Sequence, residues 1–411
     1  MNAPRVLLSA YQCGPGLGSV SQIGWEWYVR LAAKLPVTLV THVRNRQALE
    51  KAGAPLPGSE VVYIDTEWFA GPLYRFASRL FPRSEHPVFL ISSLDFYLYD
   101  WMAVRMLRPR LGDWDIVHQA TPVSPLAATR LHRLGLPLLL GPWNGGLASP
   151  VEYPEIMRAE SGWLYPLRKL GGLLDWALGS SRKARLILTA TAATRAAIAP
   201  RFQSKCVSML ENGVDLDLFT AEPWPAPDMP LQILFVGRLL PFKGVAMLLE
   251  AVARLLLPFR LTVVGAGPEE LALRAQAEAL GLQDRVAFTG GLPLAEVAGR
   301  LAAAHVFCLP SVRESGGAVL LEAMAAAKPV IALAYGGPAE IVDDEVGRLL
   351  PSSGWEAVVA ALAQTLAEVA AEPEAWRKRG LAGRRRVEQR YAWDVKIDAA
   401  IALYRQCLEK P

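Results

Sequence analysis

The sequence predicts an α/β chain built as two doubly wound domains with parallel sheets. Short apolar, β-branched runs alternate with longer Ala- and Leu-rich helical patterns from end to end, the rhythm of strands covered by helices on both faces. That rhythm restarts once, near the middle. A length of 411 residues suits two domains of ordinary size.

Taken in order, strands are expected at RVLLSAY, PVTLVTH, VVYI, DIVHQ, LPLLLGP, RLILTA and CVSML, with the helix GWEWYVRLAAKL after the first. In the second half LQILFVG, FRLTVVG, RVAFTG, HVFCLPS and PVIALA each precede a loop and a helix. Between the halves lies DLFTAEPWPAPDMP, whose four prolines sustain neither a helix nor a central strand. The final stretch keeps helical apolar spacing at Trp393, Ile397, Ile401 and Tyr404 and is expected to pack back on the first domain. The predicted domains are therefore 1–208 plus 392–411, and 209–391.

Composition narrows the function classes. The chain is 52% hydrophobic and 20% charged with a mean hydropathy of +0.22, which is globular rather than disordered. Its glycines and prolines are scattered without a repeat, so collagen, coiled-coil and solenoid architectures drop out. No apolar run reaches the roughly 18 to 20 residues of a spanning helix. MNAPRVLLSAYQ lacks a small-residue cleavage site and suits a first strand better than a signal peptide, so a cytoplasmic location is expected. Cys13, Cys206, Cys308 and Cys407 are single and far apart, which suggests buried thiols rather than disulfides or a zinc site.

Net charge is +4, and the excess belongs to the first half: residues 1–220 hold 23 Lys and Arg against 17 Asp and Glu, the remainder 20 against 22. The asymmetry is too small for a nucleic-acid footprint but fits a surface meeting phosphates or anionic lipid. Residues 68–110 break the α/β rhythm, combining aromatics with Arg75, Arg79, Arg83, Arg105, Arg108 and Arg110; GWLYPLRKL is a second such patch. Two readings stand side by side: helices buried on one face with snorkelling arginines, or an interfacial surface against anionic lipid at the inner face of a membrane.

The densest chemical cluster is PSVRESGGAVLLEAMAAAKPV. Glu314 ends a strand-to-helix loop, Gly316 and Gly317 follow, and Glu322 sits in the helix they open. Amides of Gly317, Ala318 and Val319 at a helix N-terminus suit a diphosphate, and the helix dipole favours negative charge there. Glu322 is placed to accept from vicinal sugar hydroxyls. A glycine-rich helix start with two solvated carboxylates accounts for the same residues equally well. FVGRLLPFKG shifts that balance, because Arg238 and Lys243 follow the first strand of the second domain, at the carboxyl edge where open α/β sheets bind ligands. Two cations there suit a departing diphosphate.

These motifs, Glu314 and Glu322 separated by seven residues, GRLLPFKG, VVGAGPEE, LENGVDLDLF and YGGPAEIV, resemble those of the retaining glycosyltransferases of family 4. AYQCGPGLGSVSQIGWEW resembles the glycine loop of a bacterial polysaccharide branch, and GPWNGG a later loop facing the cleft. The resemblance implies the GT-B fold, two Rossmann-like domains facing across a cleft with a C-terminal crossover helix. It implies a metal-independent hexosyl transfer from a nucleotide diphosphate sugar, a UDP-sugar foremost, to a saccharide or lipid-linked acceptor, with no resident cofactor and no nucleic-acid partner. By position, Arg238 and Lys243 would hold the donor diphosphate and Glu322 the ribose. Glu314 and the amides of Gly316, Gly317, Ala318 and Val319 would hold the donor sugar and phosphate, and Gly18 would approach from the other domain. The family's His-x-His departs here to His118, Gln119 and Ala120; His118 is either a donor contact or a satisfied strand histidine, and Asn144 with Trp143 is placed to supply part of the lost recognition.

A dinucleotide site at VVGAGPEE fails because Glu270 stands where a third glycine would allow close packing. A sugar-nucleotide epimerase of the same fold, a binding-only relative, and a glycosyltransferase with a soluble natural-product acceptor remain as alternatives. An epimerase needs acid and base groups in the first domain, where His42, His86, His118 and His132 are the histidines available.

Overall fold

A computed structural model of the chain describes residues 3–80, 91, 94–147, 152–154, 156, 168–226 and 229–409. Arg83, His86 and most of GWLYPLRKL lie outside them. Among the described residues the chain divides into two compact units, Met1–Gly146 with Ser161–Glu211 and Lys396–Pro411, and Leu147–Glu160 with Asn212–Val395.

The first unit holds seven parallel strands: β1 (Val6–Ala10), β2 (Val37–His42), β3 (Ser59–Ile64), β4 (Ile116–Thr121), β5 (Leu138–Trp143), β6 (Leu186–Thr189) and β7 (Cys206–Ser208). Their order is β3-β2-β1-β4-β5-β6-β7. The central strands are buried along their whole length, which is why VLLSA and LLLGPW are apolar runs rather than alternating ones. The second unit holds β8 (Leu231–Val236), β9 (Phe259–Val264), β10 (Val286–Gly290), β11 (Val306–Leu309), β12 (Val330–Leu333) and β13 (Gly347–Leu350), in the order β10-β9-β8-β11-β12-β13.

Twelve of these strands coincide with sequence expectations. The exception is β13, whose GRLL is four residues long, opens on glycine and carries a half-exposed Arg348. Such an edge strand has too little apolar pattern to stand out.

The unit borders differ from the expected ones. The chain passes to the second unit at Glu211 and returns at Lys396, not at 208 and 392, and Leu147–Glu160 also belongs to the second unit. Leu147, Tyr153 and Ile156 are buried, and the Ser352 hydroxyl donates to the Tyr153 hydroxyl at 3.3 Å. Trp393, Ile397, Ile401 and Tyr404 of the terminal helix Trp393–Glu409 are all buried, as their spacing suggested. Cys13, Cys308 and Cys407 are buried free thiols, whereas Cys206 is only half-buried.

Segment 68–110 is buried in one part and exposed in another. Helix Asp95–Leu107 packs Phe96, Tyr99, Ala103 and Leu107 into the first unit's core, and Arg105 lies over the Trp101 ring at 5.6 Å. Helix Glu67–Leu80 buries only Ala70 and Ala77, leaving Trp68 66% and Phe76 62% exposed beside the exposed Arg75 and Arg79. Among the described residues no helix is long and apolar enough to cross a membrane.

Candidate functional site

Lys243 and Glu314 follow β8 and β11, adjacent strands at the point where strand order in the second sheet reverses. Ligands of open α/β sheets bind outside the carboxyl ends of strands at such a point. After β8 the chain makes a tight turn, Pro241–Lys243, and enters helix Val245–Ala253 through Gly244 at φ 73°. A Cβ at Gly244 would lie 2.1 Å from the Pro310 carbonyl oxygen, so glycine lets this turn press against the segment leaving β11.

That approach brings the Lys243 ammonium within 2.5 Å of Glu314 Oε2, with side chains only 17% and 13% exposed. The other carboxylate oxygen, Oε1, accepts from the Gly317 amide at 3.4 Å. Gly317, at φ 63°, caps helix Ala318–Ala325, whose first turn has no side-chain cap. The helix start and the Lys243 ammonium thus meet at the two oxygens of one carboxylate. Glu314 is itself fixed from behind: its carbonyl accepts from the Gly337 amide at 2.9 Å, and a Cβ at Gly336 would lie 2.0 Å from that oxygen.

Arg238 is exposed and has no carboxylate partner among the described residues. Glu322, in the same helix as Ala318 and Val319, is half-buried, and burial pushes its carboxyl up to about 7. It is thus not the plainly ionised acceptor that its type alone suggests. Glu270 opens helix Glu270–Ala279 and pairs with Arg274 at 2.8 Å. Among the described residues no three His, Cys, Asp or Glu side chains converge as a metal site.

The residues expected from the first domain are placed differently. Gly18 caps helix Ser19–Ala32 after β1, exposed at φ 107° and without a side-chain cap, as an anion-facing helix start requires. His118, for which a donor contact and a satisfied strand histidine were both open, is fully buried inside β4. Its Nε2 donates to the Gly141 carbonyl at 2.6 Å, so Nδ1 accepts from the Tyr404 hydroxyl at 2.7 Å, and Trp27 packs edge-on at 4.9 Å. Burial lowers the ring to about 4. No ring atom remains for a ligand, and the residue instead anchors the terminal helix. Asn144 donates its amide to the buried Glu211 at 2.5 Å and lines a cavity of about 550 Å³ together with Ser124, Trp143, Trp176 and Arg201.

Sequence patterning singled out neither Glu211 nor Lys396, and marked Tyr404 only as a packing residue of the terminal helix. The Lys396 ammonium donates to the Leu210 carbonyl at 2.5 Å, and burial lowers it to about 7 against the attraction of Glu211. These partners lie up to 286 residues apart, so no local pattern signals them.

Comparison with known proteins locates this geometry. The family model for glycosyl transferases group 1 matches residues 219–382, wholly within the second unit. The MMP alpha-(1->4)-mannosyltransferase of Mycolicibacterium hassiacum is 29% identical over 325 residues, covering 75% of this chain and 74% of that protein. The putative colanic acid biosynthesis glycosyltransferase WcaL of Escherichia coli is 37% identical over 167 residues, 38% of this chain and 41% of that protein, so the chain spans less than half the length of this second relative. HepE of Anabaena, solved in complex with UDP, shares the fold at TM-score 0.67 and 18% identity over 98% of this chain and 99% of that one. With its two parallel sheets the chain has the GT-B fold, and its residues 219–382, which include Lys243 and Glu314, match the group 1 glycosyltransferases.

Proposed function

We propose that the chain transfers a hexosyl group, with retention of anomeric configuration, from a nucleoside diphosphate sugar, a UDP-sugar foremost, to a saccharide or lipid-linked acceptor. The observation that carries this reading is the convergence of Lys243 and Glu314 on the uncapped helix start at Gly317. In this reading the acceptor hydroxyl attacks the anomeric carbon from the leaving-group side as the bond to the diphosphate breaks, and the departing phosphate oxygen takes the acceptor proton. Lys243, Arg238 and the amides of Gly317 to Val319 relieve the charge that develops on the diphosphate, without a resident metal or cofactor. Glu314 meets the reacting sugar and Glu322 the ribose. The cavity lined by Asn144 and the exposed Trp176 suits a sugar ring stacked on the Trp176 indole as acceptor.

Of the first-domain histidines that an epimerase would draw on, His42 and His118 are taken, both buried with both ring nitrogens hydrogen-bonded. The exposed aromatics and arginines of helix Glu67–Leu80 favour an acceptor met at an anionic membrane surface on the cytoplasmic side. Incubation with a panel of nucleotide sugars and simple acceptors, read by chromatography and anomeric NMR, tests the reaction. Retained configuration with a loss of about 2 to 4 kcal/mol of transition-state stabilisation in Lys243→Ala is expected. Inverted product, or near wild-type transfer by that variant, would overturn the reading. Co-sedimentation with neutral and anionic vesicles tests the surface, and equal binding to both would remove the membrane from it.

A further inference from the structure

We propose that Glu314 is an internal counter-anion, which competes with the nucleoside diphosphate for Lys243 and the Gly317 amide and so promotes release of the diphosphate after transfer. This rests on the donor reading above and assigns Glu314 a task beyond contact with the sugar. The two carboxylate oxygens take two different positive groups, Oε2 the Lys243 ammonium at 2.5 Å and Oε1 the Gly317 amide at 3.4 Å. Those are the groups that a phosphate bound at this helix start would need. Both side chains are largely shielded from water, so their attraction is screened far less than that of a surface pair.

A diphosphate arriving at Lys243 meets one of two situations. It displaces the carboxylate, which loses its cation, or it shares the cation with a carboxylate that repels it. Both weaken binding of the diphosphate, so the sign of the effect does not depend on which occurs. The rigid clamp of Gly336 and Gly337 behind Glu314 holds the backbone of this residue in place while the diphosphate comes and goes.

Calorimetry on the full chain tests this, using whichever of UDP, GDP and ADP the wild type binds most tightly. Glu314→Gln, which keeps the shape and removes the charge, is expected to bind that diphosphate about tenfold more tightly, equivalent to about 1.4 kcal/mol, and to release it more slowly in stopped flow. Glu314→Ala, which also removes the volume, should repeat the gain. In a Lys243→Met background the gain should shrink, because the contested cation is gone and only the Gly317 amide remains contested. An unchanged or weaker affinity in both Glu314 variants would overturn the proposal while leaving the donor reading intact, as would a gain of undiminished size without Lys243. Wild-type protein that binds none of the three diphosphates would remove the donor reading, and this proposal with it.

Discussion

Glu322 offers a test in which one carboxyl reports on nucleotide binding through pH. Burial raises it to about 7, well above an ordinary glutamate. At pH 6 a carboxyl with that midpoint is about 90% protonated, and at pH 8 about 90% ionised. If ribose hydroxyls donate to it, the ligand selects the ionised form, so apparent affinity follows the ionised fraction. Because the protein's value without nucleotide is the raised one, affinity rises as pH increases through 7 and falls below it. The expected span is about tenfold between pH 8 and pH 6, or about 1.4 kcal/mol, with about half a proton released per nucleotide bound at pH 7. Glu322→Gln imitates the protonated carboxyl. It should bind less tightly than the wild type at both values, with a wild-type advantage about tenfold larger at pH 8 than at pH 6, and lack this proton release. Isothermal titration of the nucleoside diphosphate in buffers of different ionisation enthalpy measures both quantities. The ligand's own phosphate titration is common to both proteins and cancels in the comparison. A wild-type to variant ratio that stays constant from pH 6 to 8 would refute the assignment of Glu322 to the nucleotide.

Steady-state kinetics should separate the two carboxylates, with Glu322→Gln mainly raising donor KM and Glu314→Gln mainly lowering turnover; equal rises in KM with unchanged turnover would show that Glu314 does not meet the reacting sugar. His118 should make stability fall in mild acid. Its folded value is lowered to about 4 against an ordinary 6.5, so the unfolded chain binds the proton first, and stability complete above pH 6.5 is lost between 6.5 and 4, by about 3 kcal/mol at most. Denaturant titrations at pH 7 and 5 should show this slope reduced in His118→Gln, and an equal slope in the variant would contradict the buried neutral ring. Gly336→Ala should both destabilise the protein by more than about 2 kcal/mol and impair transfer, since its Cβ would meet the Glu314 carbonyl at 2.0 Å. Gly281→Ala, with a similar φ of 65° but open space around it, should cost only about 1 kcal/mol and leave transfer intact. Equal losses in the two alanine variants would show that the clamp on Glu314 is unimportant.

The sequence by itself determined the α/β architecture and pointed to the residues that meet at the second unit's candidate site. Strands buried on both faces must be continuous apolar runs, so twelve of thirteen announced themselves locally, and only the short, half-polar β13 did not. Lys243, Glu314 and Gly317 were legible for a related reason: each lies within a few residues of a strand's carboxyl end or a helix start, and a parallel sheet brings those ends to one edge whatever the loops between them do. The tertiary structure alone decided what is buried and with whom. Histidine type and strand position could not distinguish a ligand contact in His118 from a core residue satisfied by Gly141 and Tyr404, because one of those partners arrives from the far end of the chain. Nor could they show that helix Asp95–Leu107 sinks its aromatics while helix Glu67–Leu80 leaves them in water, or that Glu211 and Lys396 are buried together where the chain leaves and re-enters the first unit. Local pattern reports how a segment meets its neighbours in sequence. Burial, and with it the raised carboxyl of Glu322 and the neutral ring of His118, depends on which distant segments exclude water from them.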